Sequence, residues 1–142
     1  EQISVEISHG TRRSCNIVSL PYQPLEVISH SLSAADLHVV SLGDNMSGIV
    51  HPCKVYGALA IGRPVLALAP EDSYLSDIFD DAEFGCCFRH GDTNGVADYL
   101  KALARKENSE RMRIGDLAKE HVARHFDRES LIREFTSILL KN

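Results

Sequence analysis

The 142-residue sequence lacks the features of several broad protein classes. It has no apolar run of about 18 residues, so no transmembrane helix is predicted. No basic segment followed by an apolar stretch marks a secretory signal peptide. Lysine and arginine number 15 against 20 acidic residues, and the formal charge of −5 argues against general nucleic-acid binding, which needs clustered cations.

Two common catalytic or nucleotide-binding signatures are also missing. No Gly-x-x-x-x-Gly-Lys-Ser/Thr loop is present, which argues against a P-loop nucleotidase. No Gly-x-Ser-x-Gly elbow is present, so a hydrolase triad has little support. The four cysteines, Cys15, Cys53, Cys86 and Cys87, form no Cys-x-x-Cys pair. We interpret them as small apolar residues in a reducing compartment.

The composition that is present is typical of a globular domain, with 44% hydrophobic and 25% charged residues. The length suits a single domain over residues 1–142, because about 70% of the unfolded surface is buried in domains near 150 residues. The first residue is Glu1 rather than methionine. We therefore expect the chain to be a piece of a longer protein.

Segments of strand type alternate with segments of helix type along the chain. Short β-branched or apolar runs predict strands at 16–20, 36–42, 64–69 and 85–89. Helical spacing of apolar residues predicts helices at 25–35, 52–61, 73–81, 93–105, 109–125 and 128–140, with Asp127 as the N-cap of the last. Residues 1–15 fit either a strand or a frayed helix. The alternation predicts an α/β fold with a doubly wound parallel sheet.

In such a sheet, ligands bind outside the carboxyl ends of the strands. The loops predicted there are 20–24, 42–51 and 69–72, and the second is rich in glycine and small polar residues. It leads into a helix that carries Lys54 in its first turn. A cation at a helix N-terminus is unfavourable unless an anion joins it, so the loop is a predicted phosphate site. In the alternative reading, Lys54 simply points into solvent.

The stretch from 47 to 67, SGIVHPCKVYGALAIGRPVLA, carries two short motifs, PCKVYG at 52–57 and AIGRPV at 60–65. It resembles the nucleotide-sugar-binding segment of the retaining GT-B glycosyltransferases of family 4, in a branch that makes bacterial surface polysaccharides. Further stretches similar to that family lie at 16–22, 33–39 and 85–92, with Phe126 before the last helix.

The resemblance implies the Rossmann-like, donor-binding half of a GT-B fold, with a sugar nucleotide as substrate and no metal or other cofactor. It implies donor and phosphate contacts from Asn45, Ser47, Gly48, His51, Lys54 and Tyr56. It also implies a nucleobase loop formed by Leu20, Pro21 and Tyr22. Helix dipole, backbone N–H groups and the Lys54 ammonium would stabilise charge on the departing diphosphate.

The sequence departs from the family in two respects. The two glutamates that many members carry around this loop are absent, and their places fall near Ile49 and at Gly57. Nothing before Asn16 matches the Arg/Lys-bearing segment that grips the diphosphate in the family, and the amino-terminal acceptor-binding domain is missing, since 142 residues cannot hold two such domains. We expect this half alone to bind donor without transferring sugar. The resemblance also implies a cytoplasmic protein, peripheral at the inner membrane face only through its full length.

Two other functions stay open at this point. The chain could be a non-catalytic module that senses a nucleotide or a nucleotide sugar, or half of a sugar-nucleotide epimerase. Several side chains also have structural readings beside functional ones. Glu71, Asp72 and Ser73 either contact sugar or cap a helix, and Arg63 is expected to fix a helix-to-strand turn. His121 and His125 have metal-ligand spacing but no evident third ligand.

Overall fold

The computed structural model describes residues 18–140. The strands are β1 (His38–Ser41), β2 (Val65–Leu68) and β3 (Gly85–Phe88). The helices are α1 (Ile28–Ser33), α2 (Lys54–Ala60), α3 (Tyr74–Phe79), α4 (Thr93–Arg105), α5 (Asn108–His125) and α6 (Arg128–Leu139). Short 3-10 turns precede α1 at Leu25–Val27 and follow β1 at Asp44–Met46.

The three strands form one parallel sheet in the order β1-β2-β3. In its register, Ser41 lies beside Leu68, and Leu68 lies beside Phe88. All three strands therefore finish at the same side, which we call the carboxyl edge: the residues that directly follow Ser41, Leu68 and Phe88. Because the strands are parallel, each connection must cross back over the sheet, and α2 and α3 lie in these connections.

The core is centred on β2, whose residues are apolar on both faces. Val65 and Ala67 are fully buried, and Leu66 between them is nearly so. Helix α2 packs against this sheet through Val55, Ala58 and Leu59, a spacing that places all three on one helical face. Full burial of a side chain such as Leu59 stabilises the fold by about 2 kcal/mol.

Helices α2 and α5 approach closely where Gly62, just after α2, meets Gly115 inside α5. A Cβ atom added to Gly115 would lie only 2.4 Å from the carbonyl oxygen of Gly62. Ile114 and Ala118 are buried in the same turns of α5. Glycine at this crossing therefore brings the helix backbone against the turn that leads into β2.

Local capping defines the starts of three helices. The Ser73 hydroxyl accepts from Ser76 N–H at 3.3 Å and begins α3. Asp92 accepts from Gly95 N–H at the start of α4. Asp127 accepts from Ser130 N–H at 2.9 Å at the start of α6. The sequence prediction that Asp127 caps the last helix is confirmed, and so is the cap at Ser73.

The predicted elements agree with the structure except at the first described residues. The helix predicted at 93–105 has those bounds, and the strands predicted at 36–42, 64–69 and 85–89 are present with slightly shorter ends. The strand predicted at 16–20 is wrong over 18–20, which have no regular structure; 16, 17 and the segment 1–15 lie outside the described residues. A strand needs a hydrogen-bonded neighbour, and within 18–140 β1 pairs only with β2.

The fold is therefore α/β, with a small three-stranded parallel sheet and helices. On β1, Val39 is 62% exposed. On the far strand, the Phe88 ring meets Tyr99 of α4 edge-on, with ring centres 5.7 Å apart. A three-stranded parallel sheet does not by itself establish the doubly wound arrangement expected from the sequence, which stays a prediction.

Candidate functional site

Hydrogen bonds join the three loops of the carboxyl edge. The Ser47 hydroxyl, in the loop after β1, donates to the carbonyl of Asp72 after β2 at 2.5 Å. His90, after β3, donates from Nε2 to the carbonyl of Leu42 at 2.9 Å, since a carbonyl can only accept. Arg89, after β3, forms an exposed ion pair with Glu71, after β2. These cross-links hold residues from all three strand ends in one region.

The loop after β1 is short and tightly turned. Asn45 lies exposed in the 3-10 turn Asp44–Met46. The backbone N–H groups of Ile49 and Val50 both donate to the carbonyl of Met46 at 3.1 Å. Gly48 has φ +73°, a left-handed conformation that glycine adopts without strain, and nothing lies within 4 Å of its Cβ position. Gly48 therefore reverses the chain on the open side of the loop.

The start of α2 offers fewer backbone donors than the sequence argument assumed. The helix begins at Lys54 rather than at 52. Cys53 N–H donates to His51, Val55 N–H to Pro52 at 3.2 Å, and Tyr56 N–H to Cys53 at 3.3 Å. Donors that are already bonded within the chain attract an anion less strongly. A phosphate here would depend more on side chains than we expected.

Two basic side chains at this helix start are exposed, those of His51 and Lys54. Both residues line a cleft of about 570 Å³ between the loop and the outer edge of β1. Ser41 and Pro52 line the same cleft. The cleft thus combines a permanent cation, an imidazole and a strand edge that has no partner strand in the part of the chain that the structure describes.

His51, Tyr56 and Tyr74 form a contact group that we call the hydroxyl–imidazole cluster. His51 Nε2 lies 2.8 Å from the Tyr56 hydroxyl, which lies 2.5 Å from the Tyr74 hydroxyl. The His51 ring packs on the Tyr74 ring with centres 4.4 Å apart. The Tyr56 ring also meets Phe126 edge-on at 4.7 Å. Burial, followed by the bond to Tyr74, raises the pKa of Tyr56 well above its ordinary value, so its hydroxyl stays protonated.

The structure brings together only part of the predicted site. Ser47, His51, Lys54 and Tyr56 lie around the carboxyl end of β1, with Asn45 and Gly48 on the exposed turn beside them. Tyr56 belongs to the hydroxyl–imidazole cluster, so its hydroxyl is already bonded to His51 and Tyr74.

The predicted nucleobase loop is not packed against this site. Leu20 and Pro21 are exposed, and Tyr22 is 95% exposed. The side-chain amide of Gln23 donates to the carbonyl of Pro21 at 2.8 Å, which is a local turn contact. A ring as exposed as that of Tyr22 holds no fixed position over a cleft, so a stacking role is not evident from its packing.

Three residues of the carboxyl edge were missed by the sequence reasoning as site residues: Tyr74, Arg89 and His90. A signal for Tyr74 existed, because a serine cap at Ser73 makes Tyr74 the first residue of α3 and places it at this edge. The contacts of Arg89 with Glu71 and of His90 with Leu42 had no local signal.

The structural readings of several other residues are supported. Arg63 donates to the carbonyl of Ser33 at 2.5 Å and so joins the end of α1 to the start of β2. The rings of His121 and His125 lie 4.7 Å apart. Burial, then the charges of His125 and Arg124, lower the pKa of His121. Across 18–140, no three His, Cys, Asp or Glu side chains converge as metal ligands.

The cysteines of the described region are free: Cys53, Cys86 and Cys87. Cys15 lies outside that region. Burial raises the pKa of the Cys86 and Cys87 thiols, which makes both poor nucleophiles at neutral pH. No chemistry is therefore assigned to these two thiols.

No helix within 18–140 is both long and apolar enough to span a bilayer. Comparison with protein-family models gives no match to this chain. Comparison with curated proteins gives no significant relative. The function must therefore be argued from the residues of the site.

Proposed function

We propose that this chain is the donor-binding part of a retaining glycosyltransferase that takes a nucleoside-diphosphate sugar, in the synthesis of a surface polysaccharide. The diphosphate would lie at the carboxyl edge beside His51 and Lys54. Transfer would require an acceptor-binding domain from a longer protein. The resemblance in residues 47–67 suggests this function, and the geometry of the carboxyl edge supports it.

The observation that carries the proposal is the position of Lys54 and His51. Both line the cleft at the end of β1, and ligands of parallel α/β sheets bind outside the carboxyl ends of strands. The bond from Ser47 to Asp72 holds the loop of β1 against that of β2, which keeps the cleft wall in place. A cation on a fixed wall suits an anionic ligand.

The doubly wound, Rossmann-like sheet is also part of this proposal. In a doubly wound sheet, another strand would add to the outer edge of β1, which pairs with β2 alone within 18–140. Helices would cover both faces. Phe88 alternates with the core-facing Cys87 along β3, and Tyr99 of α4 contacts Phe88, which supports a helix on the second face.

The proposed chemistry is electrostatic. When the bond between the sugar and the diphosphate breaks, negative charge develops on the diphosphate oxygens. The Lys54 ammonium, and His51 when protonated, would stabilise that charge. The N–H groups of Cys53, Val55 and Tyr56 at the helix start are bonded within the chain. The Lys54 and His51 side chains therefore carry more of this role than the helix start does.

Binding is tested by titrating the ¹⁵N-labelled chain with UDP and GDP and following its amide signals. We expect shifts within residues 42–57, and none in the exposed helix α6. Uridine, which lacks phosphate, should produce smaller shifts in that segment. The absence of any shift in 42–57 at millimolar nucleotide would contradict the proposed site.

The role of Lys54 is tested by Lys54→Ala, with Lys101→Ala as the matched control. Lys101 lies on α4, paired with Asp98 at 3.2 Å. Both changes remove one positive charge. Only Lys54→Ala also removes the proposed contact with the diphosphate. We expect UDP affinity to fall by about 1–2 kcal/mol, or about 5- to 30-fold, in Lys54→Ala alone. Equal dissociation constants in the two variants would place Lys54 outside the site.

A further inference from the structure

The hydroxyl–imidazole cluster joins three separate parts of the chain at the carboxyl edge. His51 comes from the loop after β1, Tyr56 from α2 and Tyr74 from the first position of α3. Their polar atoms form a continuous series: His51 Nε2, Tyr56 hydroxyl at 2.8 Å, then Tyr74 hydroxyl at 2.5 Å. Tyr74 also supplies a ring against the His51 ring. The exposed imidazole is therefore held by a hydrogen bond and by a ring contact.

The single proton of the Tyr56 hydroxyl limits the directions that the hydrogen bonds of this series can take. The Tyr56 hydroxyl has one proton and two partners, so it must donate to one and accept from the other. When Tyr56 donates to Nε2 of His51, Tyr74 donates to Tyr56, and the neutral imidazole carries its proton on Nδ1. When Nε2 carries a proton, in the cation or in the other neutral tautomer, Nε2–H donates to Tyr56, and Tyr56 donates to Tyr74. The Tyr74 hydroxyl completes the series in all three forms.

In two of these three forms, the cation and the neutral Nδ1–H tautomer, Nδ1 of His51 bears a proton that it can donate to an anion, and a bound anion favours these two forms. An exposed imidazole without partners would lose rotational freedom when it binds, and this loss weakens binding. The bonded ring has already lost that freedom. The cluster therefore presents Nδ1–H in a fixed direction.

We propose that His51 donates from Nδ1 to the diphosphate of the donor, and that Tyr74 is a positioning residue that orients His51 through the Tyr56 hydroxyl. This inference rests on the proposed function for its ligand. The orientation of His51 does not, because it can be measured in the free protein. Tyr74 touches neither substrate nor reacting atoms in this scheme.

The orientation is tested in the full chain labelled with ¹⁵N-histidine, at neutral pH and without ligand. Tyr74→Phe keeps the ring contact and removes only the hydroxyl. Tyr99→Phe is the matched control, since Tyr99 contacts Phe88 away from the cluster. We expect the His51 imidazole ¹⁵N shifts to change in Tyr74→Phe and not in Tyr99→Phe. Unchanged His51 shifts in Tyr74→Phe would overturn the positioning role.

The ligand part is tested by UDP titration of the same variants. We expect Tyr74→Phe to weaken UDP binding by about 2- to 10-fold, the effect of losing one neutral hydrogen bond, with Tyr99→Phe unchanged. In a His51→Asn background, Tyr74→Phe should have no further effect on affinity. An equal loss in both backgrounds would show that Tyr74 acts independently of His51, which overturns the inference.

The proposed function and the inference about Tyr74 are contradicted by different results. If the wild-type chain does not bind UDP, the proposed function and the ligand half of this inference are wrong, while the ¹⁵N shifts still decide whether Tyr74 orients His51. If UDP binds and Tyr74→Phe leaves its affinity unchanged, the proposed function stands and this inference is wrong. A comparison of amide spectra identifies a variant that misfolds, and Tyr56→Phe then replaces it, with the same shifts and affinities expected to change.

Discussion

Helices α2 and α6 are both amphipathic, yet they relate to the rest of the molecule in opposite ways. Helix α2 has seven residues and buries Val55, Ala58 and Leu59. Helix α6 has twelve residues and buries none. Its apolar side chains, such as Phe135, remain more than two-fifths exposed. An apolar stripe therefore predicts that a segment is helical, but not that the segment packs against this core.

The two helices also owe their stability to different causes. Two helical turns are too short to persist alone in water, so α2 depends on its packing against the sheet and α5. Helix α6 has local support from its Asp127 cap and from the ion pair between Arg133 and Glu129 at 3.7 Å. Changes in α2 should therefore alter global stability, and changes in α6 should alter mainly the helix itself.

The largest expected effect is that of Leu59→Ala in α2. Leu59 is fully buried, so its truncation should lower the free energy of unfolding by about 2–5 kcal/mol, measured by urea unfolding. Leu139→Ala in α6 removes the same atoms from a side chain that is 60% exposed, and it should change stability by less than about 1 kcal/mol. Similar losses in the two variants would remove the distinction between these helices.

The next effect concerns glycines inside helices. Alanine in place of Gly115 in α5 or Gly57 in α2 gains up to about 1 kcal/mol of helix propensity. At Gly115 the new Cβ would lie 2.4 Å from the Gly62 carbonyl, so we expect a net loss of about 1–3 kcal/mol. At Gly57 the nearest atom is Leu32 Cδ1 at 3.5 Å, an ordinary contact, so Gly57→Ala should be neutral or stabilising. Thermal unfolding of both variants checks this, and a stabilised Gly115→Ala would contradict the close approach.

A smaller effect is expected from Asp127→Ala. The carboxylate accepts from Ser130 N–H, and this bond lowers the pKa of Asp127. Loss of the cap should reduce hydrogen-exchange protection of the α6 amides while urea unfolding of the core stays unchanged. Because the folded-state pKa is depressed, the wild-type contribution is present at neutral pH and is lost as the pH falls through the acid range. A large drop in global stability would mean that α6 is part of the core.

The smallest effect is the pH dependence caused by His121. Its pKa is lowered in the folded protein by burial and by the neighbouring positive charges, so the folded state binds fewer protons than the unfolded state. Stability should therefore decrease as the pH falls below the ordinary histidine value of 6.5. His121→Gln should flatten this decrease, and His30→Gln on exposed α1 serves as the control. If stability depends on pH in the same way in His121→Gln as in the wild type, His121 is not the cause of this dependence.

The local part of the fold could be predicted from the sequence. The bounds of α4 and the caps at Ser73 and Asp127 followed from residues within a few positions of each other. The strands β2 and β3 followed from short apolar segments between turns. The prediction failed at 18–20, because a β-branched run becomes a strand only when another strand is beside it.

The candidate site was predicted only in its sequence-local part. Ser47, His51 and Lys54 lie where the loop after β1 was expected to place them. The bonds within the chain at the start of α2 were not predicted, since they depend on the path of residues 51–53. The partner of Tyr56 was not predicted either, because Tyr74 is 18 residues away.

By itself the sequence determined the type and approximate position of the six helices and three strands within 18–140, because periodicity and capping act over a few residues. Tertiary structure alone decided which side chains meet at the carboxyl edge: Tyr74 with Tyr56, and His90 with Leu42, 48 positions apart. The physical reason is that these contacts depend on where crossing connections return the chain. That path is set by packing of the whole core and not by any one segment.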